Sequence, residues 1–170
     1  MKPKILILAP GRYGKDTVAE LLIKELPELT FISSSWVLAE LIYEDIGQAL
    51  YPDVESCFED RIYNREVWYN WVCNYNLEDK AKLAKEILSK SDCYVGMRDD
   101  KEYEASKKLF DFVFYVDASN RVDYVDETMK ISYDPKEMIL LDNNGSIDDL
   151  KHQVKIAAEI IKGKAHLLCL

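Results

Sequence analysis

Histidine is almost absent from this 170-residue chain, which contains only His152 and His166, both towards its C-terminal end. This scarcity argues against a histidine-based metal site and against a Ser-His-Asp triad, because both need imidazole groups. The chain also has four cysteines without CxxC or His-paired spacing, namely Cys57, Cys73, Cys93 and Cys169. We therefore expect reduced thiols in a cytoplasmic protein rather than a disulfide framework or a zinc site.

Long apolar runs are absent as well, since each uninterrupted apolar segment is only long enough for a β-strand. The N-terminus lacks the apolar stretch of a signal peptide, so we expect no membrane partner. The length, with 48% hydrophobic and 31% charged residues, predicts one globular domain over residues 1–170. A formal net charge of −9 argues against a large nucleic-acid footprint but is compatible with a local basic cleft for a small anion.

One glycine-bearing stretch, Ala9-Pro10-Gly11-Arg12-Tyr13-Gly14-Lys15-Asp16-Thr17, follows an apolar run and precedes a helical pattern. A strand, a glycine loop, a lysine, a hydroxyl residue and a helix in that order are typical of a phosphate-binding P-loop. The N–H groups at such a helix start carry partial positive charge, Lys15 adds a full charge, and Thr17 supplies a hydroxyl for Mg²⁺. The residues expected to bind a nucleoside triphosphate are Gly11, Arg12, Tyr13, Gly14, Lys15, Asp16, Thr17 and Val18.

This stretch departs from the usual GxxxxGK[ST] pattern at two positions. Ala9 stands in place of the first glycine, and Asp16 separates Lys15 from the hydroxyl of Thr17. The plain alternative is a glycine turn between a strand and a helix, with Lys15 merely exposed. Asp16 is likewise open to two interpretations. It is either a catalytic group that faces the cleft or an acid that the helix dipole stabilises in the first turn.

Strand-like and helical segments alternate along the chain. Strands are predicted at residues 4–9, 30–34, 93–97, 112–116 and 137–141. Helices are predicted at 15–26, 102–109 and 147–161, and almost throughout 36–91 with breaks near 51–53 and 74–76, while 163–170 is expected to be a loose end. The alternation predicts an α/β fold with a parallel sheet covered on both faces, and ligands in such folds bind beyond the carboxyl ends of the strands.

Arginine is scarce, and two of the five arginines, Arg61 and Arg65, lie four residues apart in the predicted helical region. Together with Trp68 they are expected to share one helix face that holds a nucleotide phosphate and stacks its base. Ser34, after the predicted second strand, is a further candidate for substrate binding. The alternative is a solvated helix face with the tryptophan in the core and the arginines paired with acidic neighbours: Glu59, Asp60 and Glu66.

Three other side chains follow predicted strands and are candidates for the site. Arg98 comes directly after the strand at 93–97, where an acceptor phosphate is expected, and is predicted to act in catalysis. Asp99 either holds Mg²⁺ through water or orients Arg98, or else caps a helix that begins at Lys101. Arg121 is either an ordinary surface residue or a catalytic cation on a short lid, residues 118–134, that closes over the triphosphate.

Three motifs occur along the chain: Gly14-Lys15-Asp16-Thr17, Gly96-Met97-Arg98-Asp99-Asp100-Lys101-Glu102, and Ile139-Leu140-Leu141-Asp142-Asn143-Asn144-Gly145-Ser146-Ile147. Together they resemble the P-loop deoxynucleoside monophosphate kinases encoded by tailed bacteriophages. The resemblance implies a three-layer kinase fold with a five-stranded parallel sheet in the order 2-3-1-4-5 and a helical acceptor-binding insert at 36–91. It also implies ATP and Mg²⁺ as cofactors and transfer of the γ-phosphoryl group to a 5′-monophosphate, with Lys15 and Thr17 serving the triphosphate and Arg98 the acceptor.

The acceptor stays open, because the chain differs from this family in Ala9, in a small insert and in a short lid. Related phage kinases phosphorylate a hydroxymethylated pyrimidine within DNA, so DNA is the partner under that alternative. A non-catalytic nucleotide-binding switch is the third alternative. The first expectation is an enzyme of the host cytoplasm that acts on a small nucleotide, with the oligomeric state, a homodimer included, left open.

Overall fold

The computed structural model describes residues 2–168, and the side chains of residues 2–163. Within this range the chain has the predicted α/β class, with helices around one parallel sheet. The strands are β1 (Ile5–Leu8), β2 (Cys93–Val95), β3 (Phe112–Asp117) and β4 (Ile139–Asp142), in the order β2-β1-β3-β4. The helices are α1 (Lys15–Glu25), α2 (Ser34–Asp45), α3 (Val54–Asp60), α4 (Arg65–Tyr75), α5 (Lys82–Lys90), α6 (Asp100–Ser106) and α7 (Ile147–Leu168), with 3₁₀ turns at Gly47–Ala49 and Lys107–Leu109.

The central strand β1 is apolar on both faces because helices cover both faces of the sheet. Ile5 and Ile7 pack on the side of α1 and α7, whereas Leu6 and Leu8 pack on the side of α2 and α5. All four side chains are fully buried, and burial of each contributes about 1.5–3 kcal/mol. Since β1 lies between β2 and β3, the β1–α1 loop (residues 9–14) emerges in the middle of the carboxyl edge of the sheet.

The predicted second strand at residues 30–34 does not form. This segment runs beside the start of β2, but side chains replace most of a backbone ladder. The Asp92 carboxylate accepts a hydrogen bond from the Thr30 N–H at 2.8 Å, and the Ser34 hydroxyl bonds both the N–H and the carbonyl of Val95. Ser34 is already the first residue of α2. The five-stranded sheet in the order 2-3-1-4-5 is therefore not confirmed, because polar side chains satisfy this edge of the sheet.

The helical region predicted at 36–91 contains a break that the sequence pattern did not indicate. α3 ends at Asp60, and α4 begins at Arg65. The Asp60 carboxylate accepts a hydrogen bond from Asn64 Nδ2 at 2.5 Å, and its carbonyl accepts one from the Asn64 N–H at 3.2 Å, which closes a turn between the helices. Arg61 and Arg65 therefore do not share one helix face, and that prediction is wrong.

The remaining helix boundaries agree with the sequence in part. The breaks predicted near 51–53 and 74–76 are confirmed. The last helix begins at Ile147 as predicted but continues to Leu168, so the loose end predicted from residue 163 is wrong. An apolar stripe along α7, from Leu150 to Ile161, packs against the sheet, and the helix continues beyond that contact.

The predicted lid, residues 118–134, forms neither a helix nor a strand. Cys57, Cys73 and Cys93 are free thiols, and Cys169 lies outside the described residues. Between residues 2 and 168, no helix combines the length and the apolar character that crossing a bilayer requires.

Substitution of Asp92 tests how polar side chains stabilise the fold, because its carboxylate connects Lys4 and Thr30 to the start of β2. Its carboxylate accepts from Lys4 Nζ at 2.8 Å and from the Thr30 N–H at 2.8 Å. Burial opposes its ionisation, but the Lys4 ammonium and the Thr30 N–H outweigh that effect and lower the pKa of Asp92. We expect Asp92→Asn to reduce the free energy of unfolding in urea at pH 7 by about 1–3 kcal/mol, since the ammonium loses its partner.

The pH dependence and a control make this test specific. A carboxylate with a lowered pKa stabilises the folded state above its ordinary pKa and loses that effect as the pH falls through the lowered value. The difference between Asp92→Asn and the wild type should therefore shrink below about pH 4. Asp148→Asn is the matched control, because Asp148 is exposed on α7 and pairs with Lys151 three residues further on. Equal losses in both variants would contradict a structural role for Asp92.

Candidate functional site

A cleft of about 920 Å³ opens at the carboxyl ends of β1 and β2. Its walls come from the β1–α1 loop, the start of α2, the α3–α4 turn with α4, the segment after β2, and residues 124–128. The predicted site residues that line it are Gly11, Arg12, Lys15, Asp16, Ser34, Arg61, Arg65, Trp68, Arg98 and Asp99. Those outside the lining are Tyr13, Gly14, Thr17, Val18 and Arg121. The fold thus brings together side chains that lie up to 88 positions apart in the chain.

The β1–α1 loop is held in a tight conformation. Arg12 has a φ of 68° and Gly14 a φ of 92°, both in the left-handed region. A Cβ on Gly14 would lie 2.5 Å from Nδ2 of Asn143, and this amide donates to the Tyr13 carbonyl at 2.9 Å. Gly14 is therefore required both by its backbone angles and by the close approach of Asn143 from the loop after β4.

The first turn of α1 leaves its backbone donors open. Gly14 is the N-cap residue and makes no side-chain cap, so the N–H groups of Lys15, Asp16 and Thr17 have no capping side chain. Thr17 is exposed on this turn. The Val18 side chain is fully buried in the core, and its N–H donates to the Gly14 carbonyl at 3.0 Å, so neither group is free for a ligand. A helix start of this kind attracts anions.

Lys15 lies between the ends of β1 and β2. Its aliphatic stem passes Gly96, where a Cβ would come within 3.2 Å of Lys15 Cε, and Gly96 has a φ of 96°. The Lys15 side chain is 17% exposed, and Nζ pairs with Asp16 Oδ2 at 3.1 Å. Asp16 itself is 75% exposed and lines the cleft. The interpretation of Lys15 as merely exposed is wrong, because the lysine is confined within the cleft.

Arginine is concentrated in this cleft. Four of the five arginines line it, all within the described side chains: Arg12, Arg61, Arg65 and Arg98. Among the described residues, neither Arg61 nor Arg65 pairs with a carboxylate within 4.0 Å, so the acidic partners that the alternative reading required are not found. Burial, and then the charge of Arg65, lower the pKa of Arg61, whereas the charge of Asp16 opposes this effect. Because an arginine stays charged, Arg61 and Arg65 bring into the cleft two cations without a carboxylate partner among the described residues.

Trp68 belongs mainly to the core of the helical insert. Its side chain is 7% exposed and packs with Ala39, Ile42 and Cys57, although its edge reaches the cleft. The indole is therefore not a free platform for a base, and the core alternative is confirmed. The other aromatic side chains that line the cleft are Phe31, Tyr69, Tyr94 and Tyr124, of which Tyr69 is partly exposed.

Arg98 is held at the end of β2 by a residue that sequence reasoning missed. Its Nη1 donates to the Asp126 carboxylate and to the Thr128 hydroxyl. Asp126 lies in the predicted lid, residues 118–134, and the sequence pattern assigns it no role. The sequence holds no signal that singles out Asp126, because the same segment also contains Asp123, Glu127 and Asp134.

Asp99 caps α6, as one of its two interpretations predicted. Its Oδ1 accepts from the Glu102 N–H at 2.9 Å, and α6 begins at Asp100. Its Oδ2 has no hydrogen-bond partner among the described residues and remains open to water. No group of three His, Cys, Asp or Glu side chains gathers as a metal site in the described part of the chain. The Thr17 hydroxyl and one Asp99 oxygen are oxygen groups of the kind that Mg²⁺ binds, but of these two residues only Asp99 lines the cleft.

Arg121 lies on the Asn143 side of the β1–α1 loop, away from the cleft lining. It is exposed, and its Nε donates to the Asn143 carbonyl at 2.9 Å. The neighbouring Asn120 N–H donates to Asn144 Oδ1 at 2.8 Å. These contacts tie the start of the predicted lid to the loop after β4.

Glu102 provides a test of the electrostatics of the cleft floor. It is buried, and its Oε1 accepts from the Tyr94 hydroxyl at 3.0 Å. Burial raises its pKa from the ordinary 4.5 to about 7, the Tyr94 bond opposes this, and the charge of Asp99 adds to it. A raised pKa means that ionisation costs stability as the pH rises from about 4.5 through 7. We expect Glu102→Gln to gain stability over the wild type between pH 5 and pH 8 in urea unfolding.

The matched control for this test is Glu104→Gln, since Glu104 lies on the exposed side of the same helix. Its stability relative to the wild type should change far less across the same pH range. A Glu102→Gln difference that stays constant with pH would contradict the raised pKa.

Comparison of the chain with known protein families, curated proteins and solved structures finds no match. No relative or similar fold therefore assigns roles to these residues. The resemblance to phage deoxynucleoside monophosphate kinases stays a prediction, and the function has to be argued from the cleft.

Proposed function

We propose that the chain is an ATP- and Mg²⁺-dependent phosphotransferase that transfers the γ-phosphoryl group to a deoxynucleoside 5′-monophosphate. The observation that carries this proposal is the position of Lys15. Its side chain lies against Gly96 beside a helix start with uncapped N–H groups, in a cleft lined by four arginines. Two phosphorylated substrates need several converging cations, and here they converge in a chain of net charge −9. The proposal includes a cytoplasmic location, where the expected substrates would be met.

On the donor side, the open N–H groups at the start of α1 and the Lys15 ammonium would hold the outer phosphates. Lys15 pairs with exposed Asp16, and a triphosphate would take over that ammonium because it carries more charge. Thr17 and Asp99 would hold Mg²⁺, which supplies charge neutralisation for the transferred group when bound.

On the acceptor side, Arg98, Arg61 and Arg65 would bind the monophosphate, and the wall near Phe31 and Tyr69 would receive its base. An acceptor phosphate oxygen forms a bond to the γ-phosphorus, the bond from that phosphorus to the bridging oxygen breaks, and ADP leaves with the electron pair. The attacking oxygen is already anionic, so no strong general base is required. The arginines act by orientation and by charge neutralisation.

A hydroxymethylated pyrimidine in DNA is the second candidate acceptor, and one observation favours it. In the α3–α4 turn beside the cleft, Ile62 is 52% exposed and Tyr63 is 81% exposed, between Arg61 and Arg65. An exposed aromatic wedge flanked by cations suits an enzyme that removes a base from a duplex. An alcohol acceptor would need a carboxylate base, and Asp16 or Asp99 could serve. The acidic chain favours the small acceptor.

One panel separates these functions. The protein is incubated with γ-labelled ATP and Mg²⁺, first with each deoxynucleoside monophosphate and then with duplex DNA that contains hydroxymethyluracil. Label on a monophosphate supports the leading proposal, and label on the duplex alone supports the second. Binding of ATP without transfer to either class of acceptor indicates a nucleotide-binding switch. Transfer that continues after chelation of Mg²⁺ would contradict the metal requirement.

Substitution of Lys15 tests the donor site. We expect Lys15→Ala to lower the rate of transfer by at least about 10²–10³-fold, because the developing charge loses its nearest cation. Lys24→Ala is the matched control, since Lys24 is exposed in the last turn of the same helix. The thermal midpoint should change little in both variants, because an ion pair to an exposed carboxylate adds little stability. Retained activity of Lys15→Ala would remove this lysine from the mechanism.

A further inference from the structure

Residues 122–133, here called the strap, connect the turn after β3 to the segment before β4. The strap lies against the cleft at Tyr124, Asp126 and Thr128. The Tyr124 ring lies 4.7 Å from Arg12 Cζ, and the Lys130 N–H donates to the Arg98 carbonyl at 2.9 Å. Contacts to the β1–α1 loop and to the segment after β2 therefore hold the strap in place.

Asp126 is the centre of these contacts. Its Oδ2 accepts a hydrogen bond from the Gly11 N–H at 2.6 Å and another from Arg98 Nη1. Its Oδ1 accepts from the Thr128 N–H at 3.1 Å and from the Thr128 hydroxyl at 2.5 Å. The Asp126 side chain is only 5% exposed. One buried carboxylate thus joins the β1–α1 loop, the segment after β2 and the strap.

Arg98 keeps part of its guanidinium open. Nη1 bonds Asp126 and Thr128, whereas Nε and Nη2 have no hydrogen-bond partner among the described residues. The Arg98 side chain lines the cleft and is 31% exposed. A guanidinium that is fixed through one nitrogen can present its remaining donors to an anion with less loss of side-chain freedom.

We propose that Asp126 is a positioning residue that holds Arg98 ready for the acceptor phosphate and links it to the β1–α1 loop. The inference rests on the proposed function, since it takes the β1–α1 loop as the donor site and Arg98 as part of the acceptor site. Gly11 and Arg98 donate to the same oxygen, so a shift of either donor is felt by the other. Binding at the two sites is therefore coupled through Asp126.

The same carboxylate does not act as a removable competitor for the acceptor. Four hydrogen bonds occupy its two oxygens, and displacement would leave a buried charge without partners. Burial opposes ionisation, but the bonds from Thr128, Gly11 and Arg98 outweigh it and lower the pKa of Asp126 to about 2. The carboxylate is therefore charged at neutral pH, and it is already bound to Arg98 before a ligand arrives.

The test measures binding, so it does not require turnover. Dissociation constants are measured by calorimetry for the Mg²⁺ complex of a non-hydrolysable ATP analogue and for each deoxynucleoside monophosphate. We expect Asp126→Asn to weaken the monophosphate about tenfold, the effect of one lost charge-assisted contact. In an Arg98→Ala background the same change should have no further effect, because Asp126 acts through that arginine.

Two further variants make the result independent of folding defects. Thr128→Val removes the hydroxyl that accepts from Arg98 and donates to Asp126, at an exposed position, and should weaken the monophosphate in the same direction by a smaller factor. Asp123→Asn is the matched control, because Asp123 is an exposed acid of the same strap, and its binding should equal that of the wild type.

Each remaining outcome decides against the inference or against the function. Equal monophosphate binding by Asp126→Asn would show that Asp126 does not position Arg98, and tighter binding would show that it competes with the ligand. Additive losses in the double variant would show that it does not act through Arg98. Failure of the wild type to transfer phosphate, with monophosphate binding and its dependence on Asp126 intact, would overturn the proposed function alone. Failure of the wild type to bind any monophosphate would overturn both.

Discussion

The close approach of Lys15 to Gly96 is the constraint on which the cleft depends. β1 and β2 are parallel neighbours with Ile7 opposite Val95, so the loops that follow them emerge side by side. Gly96 has no side chain and takes a positive φ, which leaves room for the lysine stem. The ammonium is thereby confined where two loops and an open helix start meet. Any residue larger than glycine at position 96 would push the lysine away from that point.

Two carboxylates that line the same cleft differ in pKa because their surroundings differ. Asp126 accepts four hydrogen bonds, one of them from a guanidinium, and its pKa lies at about 2. Glu102 accepts one hydrogen bond from a neutral hydroxyl, Tyr94, and its pKa lies at about 7. Burial raises the pKa of both groups, but Glu102 is the more deeply buried and also faces the charge of Asp99, whereas the donors to Asp126 outweigh the effect of burial. The first carboxylate fixes a cation, and the second is only partly ionised near neutral pH.

The edge of the sheet beside β2 shows a second use of polar side chains. Asp92 and Ser34 bond backbone groups that a further strand would have bonded. This arrangement covers the edge and lets α2 begin early, so that its first turn borders the cleft. The cost is a buried carboxylate that relies on Lys4 for its partner. The same edge therefore serves the stability of the fold and the shape of the site.

The sequence by itself determined the α/β class, the strand–loop–helix unit around Lys15, and the start of α7, because these depend on residues that are neighbours in the chain. Only the tertiary structure decided four other features: the missing strand at 30–34, the separation of Arg61 from Arg65, the burial of Trp68, and the role of Asp126. Each of these rests on side-chain contacts that periodicity does not encode. Asp126 meets Gly11 across 115 positions of sequence and Arg98 across 28, and such distances are closed only when the sheet and its connections have folded.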